Sequence, residues 1–151
     1  PTAFVAAPIP DGLFEPVSLR DRIGEVCMVV RRPSGRLITF RKEFYPPGVM
    51  RLLTGGVKPG EAIEAALLRE VAEETGLDVA VRQLLAVIGY SAPGDGPDGF
   101  SFFSFAFLLD ELGGELASHD PDERLEAFGE AWPHELPALA AFLEQLEVRE
   151  D

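Results

Sequence analysis

Residues 55–77 read GGVKPGEAIEAALLREVAEETGL, a glycine-rich stretch followed by a helix that carries three carboxylates and one arginine in its last two turns. Thr54-Gly55-Gly56 gives a backbone that approaches a ligand closely, and Lys58-Pro59-Gly60-Glu61 reads as a turn into a helix start. The following helix is apolar at Ala62, Ile63, Ala65, Ala66, Leu67, Leu68, Val71 and Ala72, which predicts packing on more than one side. Its last turns carry Glu70, Glu73 and Glu74. Spacings of i,i+3 and i,i+4 place these three carboxylates within roughly 100° of one another, so like charges meet. The helix dipole presents about half a negative charge at the same end, which disfavours each by roughly 0.3–1 kcal/mol. Arg69 reaches Glu73 at i,i+4, and the local pairing expected is that one alone. A hard divalent cation with oxygen ligands would supply the remaining positive charge. The competing reading, a solvated acidic face, is disfavoured by the apolar surroundings and the glycines.

The same residues carry a resemblance. The stretch is similar to the signature of the Nudix hydrolases, G-x5-E-x7-R-E-U-x-E-E-x-G-U with U aliphatic. Gly55, Glu61, Arg69, Glu70, Val71, Glu73, Glu74, Gly76 and Leu77 fill every specified position.

Bulk properties are compatible with that family. The chain has 151 residues, 46% of them hydrophobic, enough for one domain over 1–151 with a full core. A formal net charge of −13 argues against a nucleic-acid backbone or an anionic membrane surface as partner. It leaves a small phosphate ester open, because a bound metal reverses the local sign. Cys27 is the single cysteine, so a reducing, cytoplasmic location is expected. The N-terminal PTAFVAAPIP has neither a basic start nor a long apolar core, and neither a signal peptide nor a membrane span is expected.

Along the chain, residues 1–20 allow one short strand around Phe4 or Phe14. Strand-like runs cover Glu25 to Val30 and Arg36 to Phe40, with Pro33-Ser34-Gly35 as a hairpin turn. Val49 to Leu53 is a short strand delivering the chain to the glycine turn. After the helix, Val79 to Tyr90 and Phe100 to Leu109 read as strands joined by the loop Ser91 to Gly99. Asp110 to Asp122 is a connection, Leu125 to Ala131 a final strand, and Pro133 to Leu146 a closing helix. Mixed strands with one early and one late helix predict an α+β fold. The resemblance implies an α/β/α sandwich around a mixed sheet, with the box as a loop-helix-loop.

The resemblance further implies Mg2+- or Mn2+-assisted hydrolysis of a nucleoside diphosphate linked to another moiety. On it, Glu70 and Glu74 are the main metal ligands, Glu73 is a ligand or near one, and the Thr54 carbonyl is a further ligand. Arg69 orients the carboxylates and Glu61 anchors that network. The general base is a box glutamate or an acidic residue before the last strand, where Asp122, Glu123 and Glu126 stand; the neighbouring His119 reads as a solvated loop residue. Tyr90-Ser91-Ala92-Pro93-Gly94 resembles the segment that follows the box in ADP-ribose pyrophosphatases. Arg51 departs from the glutamate common at its position there, a second arginine is missing between Arg41 and Phe44, and no tyrosine falls at positions 93–95. ADP-ribose or a nucleotide sugar is the leading substrate reading, with Arg41, Arg51, Pro93, Tyr90 and Phe100 as contacts to phosphate or base. Nucleoside triphosphates or oxidised nucleotides come next, then a non-catalytic nucleotide sensor. Many relatives dimerise, so a homodimer is also an option.

Overall fold

A computed structural model describes residues 2–8, 24–91, 94–97, 99–119 and 125–136. They form strands β1 (Ala3–Pro8), β2 (Gly24–Arg31), β3 (Leu37–Lys42), β4 (Arg51–Val57), β5 (Leu77–Ser91), β6 (Phe102–Gly114) and β7 (Leu125–Ala131). One α-helix, α1 (Ile63–Thr75), lies between β4 and β5, and Pro133–Glu135 makes a 3-10 turn. The strands join in one mixed sheet of order β1-β5-β6-β2-β4-β3-β7. This is the α+β architecture expected.

β2 is central because its residues suit burial on both faces: Val26, Met28, Val29 and Val30 are all buried. It runs parallel to β6 and antiparallel to β4. The expected β2–β3 hairpin closes at Pro33–Gly35, where the Gly35 N–H donates to the Arg32 carbonyl at 2.8 Å. The two strands then pair only at Arg31 and Leu37. Beyond that point they splay and β4 slots between them, Leu53 opposite Met28 and Leu52 opposite Thr39.

Alternation of side chains divides the core into two layers. Val26, Met28, Leu53 and Val57 face α1 and pack with Ala66, Leu67 and Val71. Val29, Leu37, Leu85, Ala106 and Leu108 cluster with Leu136 beside them. Burying a side chain such as Leu67 or Val71 stabilises by about 1.5–3 kcal/mol, and it fixes α1 on β2 and β4.

Gly55 and Gly56 end β4 rather than making a turn; the turn is at Lys58–Glu61, where the Glu61 N–H donates to the Lys58 carbonyl at 3.0 Å. Helix α1 packs on one side only: Ala66, Leu67, Glu70, Val71, Glu74 and Thr75 are buried while Leu68 is 55% exposed. No loop follows it, because Gly76 at φ 66° reverses the chain and β5 begins at Leu77. β6 continues through Gly114, five residues past the expected end at Leu109, paired with β5 across three register shifts that absorb the twist of so long a ribbon. Pro133 opens a 3-10 turn instead of an α-helix, and the rest of the expected closing helix lies outside the described residues. Strand β7 has the expected limits, and β1 includes Phe4.

Candidate active site

The site is built around the Arg69 guanidinium, which lies on α1 nearly two turns before the helix ends at Thr75. Its Nε and Nη2 grip the two oxygens of Glu61 at 2.9 and 2.8 Å, and Nη2 also donates to the Gly56 carbonyl at 2.9 Å. Nη1 donates to Glu70 Oε1 at 2.8 Å and to Glu73 Oε2 at 3.2 Å. The single i,i+4 pair expected from the sequence is therefore too narrow a picture. One planar fork ties the turn, the end of β4 and two box carboxylates together, a task its five fixed donors suit and a lysine's point charge does not.

Glu61 is held from a second side by the Lys58 N–H at 3.1 Å. The bidentate Arg69 bond, then the Lys58 backbone bond, lower its carboxyl to about 2. Arg69 is correspondingly raised, first by its bond to Glu61.

Glu70 and Glu74 fall on the same helical stripe as Leu67 and Val71, so they point inward: Glu70 is 4% exposed and Glu74 fully buried. Gly55 makes room for this. A Cβ added there would overlap the Cγ, Cδ and Oε2 of Glu70. Glu73 projects further out, its side chain 38% exposed. Thr54, partly buried, immediately precedes Gly55 on β4.

Whether these residues fit a divalent cation turns on donor chemistry. All are hard oxygen donors, and Glu61, Glu70, Glu73 and Glu74 outnumber the one arginine among them. Among the described residues, no three acidic, histidine or cysteine side chains converge as a ready-made metal cage. The donor chemistry fits a hard cation, and Glu70 and Glu74 are the buried oxygen donors of the set.

The other expected residues have different neighbours. Arg41 donates to the Tyr45 carbonyl at 2.8 Å and the Val49 carbonyl at 3.2 Å, and pairs with Glu126 at 2.9 Å. Arg51 places its guanidinium 5.6 Å from the Tyr45 ring centre. Both arginines thus hold the loop between β3 and β4. Tyr90 is half-buried near Glu25, Cys27 and Arg51; burial first, and then the Glu25 charge, raise its phenol. Glu126 is on β7, half-exposed against Arg41. Pro93, Asp122 and Glu123 lie outside the described residues.

Sequence reasoning missed the segment that finishes α1. The last turn has no basic residue, yet its carbonyls are satisfied: the Ala117 N–H donates to Thr75 at 2.9 Å and the His119 N–H to Glu73 at 2.7 Å. His119 also packs on Gly76, where an added Cβ would lie 2.7 Å from its Nε2. A helix end with three carboxylates and no basic residue in its last turn is the signal that such donors must come from elsewhere. The Gly56 carbonyl was missed as well.

A mixed sheet holding one carboxylate-rich helix by an arginine fork defines a Nudix-type domain. The chain belongs to the Nudix family: residues 21–146 match the model of the NUDIX domain. It is 38% identical over 112 residues to an ADP-ribose pyrophosphatase of Methanocaldococcus jannaschii, covering 74% of this chain and 63% of that protein. It is 32% identical over 122 residues to the NAD-capped RNA hydrolase NudC of Stutzerimonas stutzeri, covering 80% of this chain and 40% of that one. The chain thus spans less than two thirds of the length of these curated relatives. Among solved structures, the MutT NUDIX hydrolase of Burkholderia pseudomallei superposes with a TM-score of 0.58 at 27% identity, over 83% of this chain and 98% of that one. The E. coli ORF135 protein gives 0.60 at 21% identity, over 89% and 98%, a likeness of fold. Nudix hydrolases are generally divalent-metal dependent.

Proposed function

We propose that this protein is a Mg2+- or Mn2+-dependent hydrolase that cleaves the pyrophosphate bond of a nucleoside diphosphate linked to another moiety, ADP-ribose or a nucleotide sugar in the first place. The observation that carries the reading is the Arg69 fork, which fixes Glu61, Glu70 and Glu73 around the Gly55-Gly56 end of β4. When bound, the cation would neutralise the diphosphate and stabilise charge developing on the leaving phosphate. Glu70 and Glu74 are the residues that would hold it, with the Thr54 carbonyl beside them. Arg69 orients Glu70 and keeps Glu73 from rotating away. Glu73, more open to water than Glu70 and Glu74, would take a proton from the attacking water; Glu126 on β7 is the alternative base.

The two relatives support the substrate class through their names, since ADP-ribose and an NAD cap both contain adenosine on one side of a pyrophosphate. The net charge of −13 supports a small-molecule partner. No helix among the described residues is long and apolar enough to cross a membrane.

The test is a hydrolysis panel of ADP-ribose, nucleotide sugars, dinucleoside polyphosphates, and normal and oxidised nucleoside triphosphates, with and without a chelator. Selective, chelator-sensitive cleavage of ADP-ribose or a nucleotide sugar is expected. Preference for triphosphates would overturn the substrate class. Nucleotide binding with no turnover across the panel would favour a sensor.

A further inference from the structure

The last turn of α1 is the least self-supporting part of the helix. Glu70, Glu73 and Glu74 repel one another there, the helix dipole adds to the repulsion, and the turn has no basic residue to offset either. Helix ends are also where fraying starts. Glu74, fully buried, nevertheless has to be held in one place there if it is to meet a cation.

What holds the turn is a clasp with two sides. On the helix side the Thr75 hydroxyl, itself fully buried, donates to the Val71 carbonyl at 2.6 Å and accepts from the Leu77 N–H at 3.1 Å. One oxygen thus ties the turn that carries Glu74 to the first residue of β5, across the reversal at Gly76. On the other side, residues 115–119 leave β6 at Gly114, whose φ of 91° suits only glycine well. An added Cβ at Gly114 would lie 2.9 Å from the Gly76 carbonyl, so this strap starts in close contact with the helix end. Leu116 packs against the core cluster that includes Leu67 and Val71 and anchors the strap. The Ala117 N–H then reaches the Thr75 carbonyl and the His119 N–H the Glu73 carbonyl. Glu74 lies between those two residues, so its backbone is fixed on both sides.

We propose that Thr75 is a positioning residue, whose hydroxyl acts with the strap 115–119 to hold the last turn of α1 so that Glu74 and Glu73 present their carboxylates to the divalent cation. This rests on the hydrolase reading above for the presence of the cation. The box signature leaves position 75 open, so the hydroxyl lies outside the residues to which the family resemblance gives a task. Groups that orient metal ligands from behind set the affinity for the metal as well as the local structure. That second effect separates a positioning role from a purely structural one.

The test titrates Mn2+ alone into the whole chain and follows the free ion by electron paramagnetic resonance, at a temperature where each variant is folded. Thr75→Val keeps the branched shape and removes the hydroxyl. It is expected to weaken Mn2+ binding by about tenfold or more, and Thr75→Ser to restore binding to within about twofold of wild type. Ala117→Pro deletes the strap's donor to Thr75 and should weaken binding in the same direction, which gives a second reading if Thr75→Val does not fold. A folded Thr75→Val protein that binds Mn2+ within about twofold of wild type, whatever its unfolding midpoint, overturns the positioning role while the hydrolase reading stands. Weakened binding that serine does not restore also overturns it, because the loss would then come from disturbed packing and not from the hydroxyl. The hydrolase reading fails separately: Mn2+ binding that Glu74→Gln leaves unchanged would take the cation away from Glu74, and the proposal would fall with it.

Discussion

Gly55 lies directly beneath Glu70, and the space a Cβ would fill at Gly55 is taken by that glutamate's side chain. A glycine inside a strand weakens the strand, so its presence here is explained by the close approach of α1. Gly55→Ala is expected to push Glu70 outward. Stability should fall by about 1–3 kcal/mol from overpacking, and turnover by about a hundredfold, since small displacements of reacting groups are that costly. Unfolding midpoints and kcat on the same sample check both.

Arg69→Gln should leave Glu61 and Glu70 facing each other with no guanidinium between them. Removing one member of a partly buried network costs about 2–3 kcal/mol, below the fully buried case because the side chain is 22% exposed. Arg69→Lys should recover little, as an ammonium cannot reach Glu61, Glu70, Glu73 and the Gly56 carbonyl at once. Urea unfolding of the two variants tests this; full recovery by lysine would show that charge alone matters.

Glu61 gives the fold an acid-sensitive joint. Its carboxyl is lowered from 4.5 to about 2 in the folded chain. A lowered folded value means the contribution is fully present above the unfolded value of 4.5 and is lost as pH falls through that value toward 2. The stability difference between wild type and Glu61→Gln should accordingly be constant at pH 6–7 and shrink as pH falls below the unfolded value. A difference that does not change with pH would remove the ion pair as its cause.

Glu74→Gln separates function from stability. Without divalent cation, a buried carboxylate one turn from Glu70 opposes folding. In chelator the glutamine variant should match or exceed wild type, its midpoint higher by about 2–4 °C if relief of repulsion is worth about 1 kcal/mol. Differential scanning calorimetry in chelator decides; marked destabilisation would mean Glu74 serves the fold.

The box was legible because its chemistry depends on local spacing: Glu70, Glu73 and Glu74 share a face in any helix, and Gly76 ends it in the left-handed conformation only glycine adopts easily. Strand β7 was legible from its bounding segments. What the sequence hid is long-range. Nothing near Arg41 announces Glu126, because their pairing follows from β3 meeting β7. Gly55-Gly56 looked like a turn because glycines usually mark one; here they serve a strand under a helix. The donors from Ala117 and His119 come from beyond β6, whose extension to Gly114 no local pattern predicts.

The most direct measurement is ADP-ribose turnover as a function of Mg2+ in wild type and Glu74→Gln. Wild type should rise from no activity in chelator to saturation. The variant should remain slower by about a hundredfold or more at any Mg2+ concentration, as loss of a ligand that stabilises the transition state requires. A variant within a few-fold of wild type, with the same Mg2+ dependence, would contradict the assignment of Glu74 and Glu70 as the residues that hold the cation.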